Sequence, residues 1–143
     1  MLIRPFTIAD TEPVVTLWER CGLTRPWNDP RKDIARKLTV QPDLFLVGVL
    51  DGIVVAAVMA GYDGHRGWVN YLAVDPDHRH AGRARRLMSV VELKLAALGC
   101  PKVSLQVRAG NDDAIAVYAA LGYAPDHTVV LGKRLISDGP PAR

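Results

Sequence analysis

One change of rhythm decides most of what this chain can become. Up to residue 74 the apolar residues come in short runs broken by turn formers. From Ala84 onward, Leu87, Met88, Val91, Leu95 and Leu98 follow the i, i+3, i+4, i+7 spacing of a one-sided helix. Gly99 stops that helix, and residues 102–107 read as a strand. A strand, a helix and a strand in succession make a crossover, so the two strands lie parallel and the connection is right-handed. Upstream, strands 44–50 and 53–62 flank Asp51-Gly52, a hairpin signal that demands φ > 0 at both positions. Asp63 to Gly67 is a second turn and 68–74 a third strand. An antiparallel meander feeding a parallel crossover is a mixed sheet, which excludes an all-helical or all-antiparallel fold.

The flanking segments fit the same scheme. Residues 2–6 read as a short strand. Asp10 is placed to cap a helix over 11–21, with Val14, Leu17, Trp18 and Cys21 on one face and Gly22 at its end. Thr24 to Asn28 is a loop, after which Asp29 caps and Pro30 starts a second helix to about residue 38. A shorter helix covers 112–121, with Gly122 closing it, and a final strand covers 128–135. The expected order is β-α-α-β-β-β-α-β-α-β, one α/β domain over residues 1–136. The Pro/Gly-rich tail, 137–143, is expected to be disordered.

Length and composition agree with one folded domain. The chain has 143 residues, 49% hydrophobic and 23% charged, which argues against disorder, a fibre or a coiled coil. Its longest apolar run, 53–60, is far short of the ~20 residues of a membrane helix. The N-terminus shows no apolar stretch of signal-peptide length, so a cytoplasmic location is expected. Cys21 and Cys100 stand far apart without CxxC spacing, and no HExxH occurs, so neither a disulfide framework nor a metal is expected.

The net charge is only +3, but Arg79, Arg83, Arg85 and Arg86 fall close together. They flank a turn, Asp75-Pro76-Asp77-His78-Arg79-His80-Ala81-Gly82-Arg83-Ala84, between the third meander strand and the long helix. Small residues there let backbone N–H groups approach a ligand, and the helix N-terminus adds unpaired donors and partial positive charge. The product is a pocket for a phosphate or pyrophosphate. The residues alone leave a tight turn with solvated arginines as an equal alternative. Neither GxxxxGK[ST] nor GxGxxG is present, and no aromatic sits inside the cluster, which argues against the nucleotide fingerprints and against a nucleic-acid face.

Arg79-x-x-Gly82-x-Ala84, after a strand ending Leu72-Ala73-Val74-Asp75-Pro76, resembles the acyl-CoA signature (Q/R-x-x-G-x-G/A) of the GNAT superfamily of N-acetyltransferases. Downstream, Asn111, Ala114, Tyr118 and Leu121-Gly122-Tyr123 are similar to that family's N…A…Y…LGF/LGY block. Within it, residues 25–30 and 61–67 resemble small bacterial YpeA-type proteins. His80 and Ala81 stand where the family commonly has glycine, and either Cβ narrows the approach to a pyrophosphate.

The resemblance implies transfer of an acetyl group from acetyl-CoA, as co-substrate, to a primary amine by direct attack on the thioester. It implies a main-chain oxyanion donor near Leu72 or Ala73, with this strand pairing with the pantetheine amides through its backbone and Val74 continuing toward the pyrophosphate. The N–H groups of His80, Ala81, Gly82, Arg83 and Ala84 would continue to the pyrophosphate. Arg79 and Arg83 would meet the phosphates, with Arg86 on the face of Arg83 and Arg85 left in solvent. It makes Tyr118 the acid that protonates the departing thiolate, and gives Asn111 two compatible roles, helix cap and pantetheine contact. Strand 68–74 carries no carboxylate where the family often places its base. Asp63, His65 and Tyr71 are therefore alternative bases, beside a water chain with none. Arg25, Trp27 and Asn28 border the acceptor side. There Arg25 could hold an acceptor carboxylate, and Trp27 either walls the site or tucks onto the core beside Pro26. The missing acid leaves a non-catalytic acyl-CoA-binding module of the same fold as the alternative. No nucleic-acid or membrane partner is expected, and the last strand leaves a homodimer open.

Overall fold

The computed structural model describes residues 1–139. Strands β1 (Leu2–Pro5), β2 (Phe45–Leu50), β3 (Ile53–Tyr62), β4 (Gly67–Val74) and β5 (Val103–Leu105) form one sheet in the order β1-β2-β3-β4-β5. The first three pairings are antiparallel and β4–β5 is parallel, as the crossover requires. Asp51 (φ 50°) and Gly52 (φ 78°) take the left-handed turn that the hairpin signal demands. Helices α1 (Thr11–Arg20) and α2 (Pro30–Lys37) cover one face, α3 (Arg83–Ala97) covers the other, and α4 (Asp112–Ala120) follows β5. No helix of the described residues is long and apolar enough to cross a membrane.

Each face of the sheet carries its own core. On the first, Phe6 stacks on Phe45 (centroids 4.3 Å apart), and Trp18 lies between Phe45 (6.2 Å) and Tyr71 (3.9 Å). On the second, Leu87, Met88, Val91 and Leu95 of α3 meet Leu46, Val55, Val58 and Val69. These α3 residues are the apolar stripe read from the sequence. Gly67 gives α3 room to end against β4: a Cβ there would stand 2.9 Å from both Leu95 Cδ1 and Cys100 Sγ, and those side chains would have to shift.

Two irregularities shape the sheet. Ala57 pairs with Ala73 and Met59 with Asn70, so Tyr71 and Leu72 together oppose Val58 alone. The extra residue is a β-bulge. It reverses the alternation of β4: Val69 packs in the α3 core, whereas Tyr71 and Ala73 pack in the core of α1 and α2. Tyr71 carries the strain with a left-handed φ of 54°.

Several expectations are corrected. Asp10 does not cap α1 with its side chain. Its buried carboxylate accepts two hydrogen bonds from Arg4 (2.7 and 2.9 Å) and one from the Thr7 N–H (2.8 Å), closing the turn that joins β1 to α1. Strand β5 is three residues long, shorter than 102–107. Residues 128–135 form no strand, and Val129, Leu131 and Leu135 are exposed. Their β-branched and apolar residues favour an extended chain, but a strand needs a laddered neighbour, and none of the described residues supplies one. Of the tail, Asp138 is anchored by Arg36 (2.6 and 2.7 Å), while residues 140–143 lie outside the described residues.

The Arg4 guanidinium holds the Asp10 carboxyl below the usual carboxylate range. A depressed carboxyl stabilises the fold above its unfolded pKa of ~3.9, and that contribution is lost as pH falls through the folded value. Asp10→Asn is expected to cost about 2 kcal/mol in urea unfolding at pH 7. The gap from wild type should stay constant down to about pH 5 and narrow below about pH 4.

Candidate active site

The site begins where the sheet comes apart. Strand β4 pairs with β5 only at Gly67, Trp68 and Val69, while its remaining residues run on to Val74. Between the two diverging chains lies a cleft of about 860 Å³, walled by Asn70, Tyr71 and Leu72 on one side and Gln106, Val107 and Arg108 on the other. A peptide-like group entering it could add its amides to the β4 ladder. Ala73, by contrast, is off the cleft wall, buried in the core under α1 and α2, and the Val74 carbonyl accepts from Arg79 Nε (3.0 Å) and Cys21 Sγ (3.3 Å).

The loop after β4 turns the chain into α3. His80 (φ 64°) and Gly82 (φ 72°) are both left-handed, and Gly82 occupies the helix N-cap without any side-chain cap. The N–H groups of the first turn therefore point outward without an intrahelical partner. A Cβ on Gly82 would meet nothing within 4 Å, so only its backbone conformation requires glycine. His80 adopts such a φ with a side chain, at a cost of ~1–2 kcal/mol. The arginines depart from expectation. Arg79 turns back to Val74, and Arg83 donates to the His78 carbonyl (3.0 Å), so both brace the loop. Arg85 is not merely solvated: it donates to Ala120 at the end of α4 (2.9 Å). The loop residues His80, Ala81, Arg83 and Ala84 lie past the cleft wall, at the open end of β4.

Helix α4 supplies the opposite lip. Asn111 Oδ1 accepts from the Ala114 N–H (3.2 Å), so it caps the helix, and Asn111, Ala114 and Tyr118 share the face toward the cleft. Tyr118 packs edge-on against Tyr123, whose hydroxyl donates to Glu92 of α3 (3.0 Å). The Tyr118 hydroxyl makes no hydrogen bond among the described residues, and burial raises its pKa.

The third wall comes from α2 and the loop before it. The Asp29 carboxylate accepts from Arg31 N (3.0 Å) and Lys32 N (3.2 Å), the cap that the sequence signals. One turn on, Asp33 Oδ2 accepts a 2.6 Å hydrogen bond from the Tyr71 hydroxyl, while Oδ1 lies 3.5 Å from Arg36. Among the described residues, Asp33 is the only carboxylate on the cleft wall. Sequence reasoning missed it, because an acid in the first turn of a capped helix is ordinary. Lys37, one turn further, and Arg108 were missed too.

Of the expected acceptor-side residues, Arg25, Asn28 and Tyr71 line the cleft. Arg25 donates to the Gly22 and Thr24 carbonyls, and Asn28 accepts from Arg134 (2.8 Å). Trp27 neither walls the cleft nor tucks onto the core: it is half exposed, beneath the Arg108 guanidinium at 5.5 Å. Asp63 and His65 are exposed in the β3–β4 turn, away from the cleft wall, and Asp63 accepts from the His65 and Arg66 N–H groups. Tyr71 is poorly suited as a base: burial and Asp33 push its phenol well above the ordinary range, and its proton is donated to Asp33.

The Tyr71–Asp33 bond joins strand to helix, so a double-mutant cycle of Tyr71→Phe and Asp33→Ala should give a coupling of ~1.5–3 kcal/mol in denaturant unfolding. Additive effects would show that the two groups do not interact in solution.

Comparison with known proteins agrees with this architecture. A profile of the acetyltransferase (GNAT) family matches residues 11–123. The acetyltransferase SG1711 of Sodalis glossinidius (strain morsitans) is 55% identical over 139 residues, covering 96% of this chain and 98% of that protein. Two solved structures share the fold at 18% identity and a TM-score of 0.76. One is the apo aminoglycoside 6'-N-acetyltransferase AAC(6')-IG from Acinetobacter haemolyticus, covering 96% of this chain and 100% of that one. The other is AAC(6')-Iy in complex with a bisubstrate analogue, CoA-S-monomethyl-acetylneamine, covering 94% and 98%. The strand that leaves its neighbour, the uncapped helix behind it and the match along most of the chain thus have one common explanation: the chain belongs to the GNAT acetyltransferase family.

Proposed function

We propose that the protein transfers an acetyl group from acetyl-CoA to a primary amine, which attacks the thioester directly. The observation that carries this reading is the parting of β4 from β5, with an uncapped helix N-terminus at the open end of β4. A pantetheine arm has amides for the free β4 edge at Leu72, and a pyrophosphate suits the N–H groups from Gly82 to Ala84. Asn111 and Tyr118 face the same channel. Arg79 and Arg83 serve this site by holding the loop, and Arg86, exposed on the first turn of α3, is the arginine left to approach phosphate.

Two proton movements accompany the transfer. A new N–C bond forms and the C–S bond breaks, so the amine sheds a proton and the sulfur gains one. Asp33 is the group on the wall able to accept a proton, and the Tyr71 hydroxyl fixes the orientation of its carboxylate. Tyr118 is the donor: burial keeps its phenol protonated through neutral and mildly alkaline pH, and its hydroxyl is free to reach the sulfur. With a carboxylate supplied from α2, the lack of an acid on β4 no longer favours a non-catalytic binding module.

The test joins calorimetry of acetyl-CoA binding to detection of free thiol against a panel of amines. Wild type should bind and turn over. Gly82→Glu, which puts a charged side chain at a left-handed N-cap, should abolish binding. Absence of binding in wild type would overturn the reading. Tyr118→Phe should bind normally and lose ~100-fold in kcat. Because the phenol is raised above its ordinary ~10, wild-type kcat should show no falling limb below about pH 10. A falling limb near neutrality that Tyr118→Phe leaves in place would exclude Tyr118 as the donor.

A further inference from the structure

We propose that the acceptor is a small molecule carrying an anionic group, a carboxylate or phosphate, in addition to its amine, and that Lys37 and Arg108 hold that anion; the inference rests on the transfer reaction proposed above. The argument is the charge balance of the cleft wall. Among the described residues, Arg25, Arg36, Lys37 and Arg108 line it against the single carboxylate of Asp33. Arg36 is engaged by Asp138 and lies near Asp33. Among the described residues, the other three stand in no ion pair. Arg25 is satisfied by loop carbonyls, which leaves Lys37 and Arg108.

Lys37 is half-buried, and its Nζ donates to the Val40 carbonyl (2.8 Å). Burial lowers its pKa, and Asp43 opposes this only at longer range. A desolvated ammonium without a counter-ion is costly unless an anion arrives to meet it. That anion is not a phosphate of the co-substrate. Lys37 Nζ lies beside Gly61, 3.7 Å from where its Cβ would be, and Gly61 pairs with Trp68. Trp68 precedes the end of β4 by six residues, about 20 Å of strand away from the loop that begins after Val74. Arg108 stands over Trp27, in the loop leading into α2, and so faces the acceptor side as well.

The same helix orders the two ends of the acceptor. Asp33 and Lys37 are one turn apart on one face of α2, with Cβ atoms ~6 Å apart. An amine directed to Asp33 therefore places a group several bonds away beside Lys37. The surplus positive charge also rejects polycationic amines, which a wall of carboxylates would attract.

Matched probes of one length test this. Calorimetry on CoA-saturated protein compares 5-aminovalerate, 5-aminopentanamide, cadaverine and 4-aminobutyl phosphate. The anionic probes should bind about tenfold more tightly than the amide at low ionic strength, and cadaverine more weakly than the amide. The carboxylate and phosphate arms show which anion fits. Lys37→Met should bring anion and amide within about threefold, and Lys37→Arg should keep most of the preference. Equal affinities, tighter binding of cadaverine, no binding of any probe, or an anion preference that survives Lys37→Met would overturn the inference while leaving acetyl transfer standing. Failure of the protein to take up CoA in the first titration would instead remove the proposed reaction, and this inference with it.

Discussion

A tyrosine in a left-handed backbone conformation holds three elements of this protein together. Tyr71 sits in the bulge of β4, stacks at 3.9 Å on Trp18 of α1 and donates a 2.6 Å hydrogen bond to Asp33 of α2. The strained φ costs ~1–2 kcal/mol. An aromatic stack contributes ~0.5–1.5 kcal/mol and a hydrogen bond to a charged group ~1.5–3 kcal/mol. The contacts therefore outweigh the strain, and the bulge persists. Because the bulge reverses the facing of β4, Tyr71 and Ala73 turn toward α1 and α2 just where β5 falls away. Remove the bulge and Tyr71 would share the face of Val69, and α2 would lose its side-chain hydrogen bond to β4.

The cleft is thus built by subtraction. A short β5 leaves half of β4 without a parallel neighbour, and a helix without a side-chain cap leaves its first N–H groups outward. Both are departures from complete hydrogen bonding, set side by side. The first arginines of the loop keep this arrangement from collapsing, by donating to Val74 and His78. Their charge lies near a phosphate-sized site, but their hydrogen bonds shape the backbone that forms it.

Much of the fold was legible because periodicity and turn chemistry are local. Asp29-Pro30 announces the start of α2, Asp51-Gly52 the hairpin, and the 87-88-91-95 stripe the crossover helix. The loop at Gly82 and the α4 face of Asn111 and Tyr118 were likewise readable. What escaped depends on tertiary neighbours. No glycine in Asn70-Tyr71-Leu72 marks a bulge, and the left-handed residue is Tyr71 rather than the turn-forming Asn70 beside it. Asp33 looks like any acid in a first helical turn until the sheet brings Tyr71 to it. Arg79 and Arg83 look free until the loop closes on them. The 128–135 segment shows the converse: its composition is that of a strand, but composition supplies no partner.

The open edge of β4 has a thermodynamic meaning as well. In a sheet whose inner strands have neighbours on both sides, the stretch from Asn70 to Val74 is paired with β3 alone, and the bulge interrupts that ladder. Such a segment opens at a lower free energy than the core around it and exchanges its amide hydrogens sooner. Any molecule that pairs with it supplies the missing rungs, and so raises the stability of the whole domain in proportion to RT ln(1 + [L]/Kd). Occupancy and persistence of the folded chain are then coupled: the protein lasts longer when its ligand is plentiful.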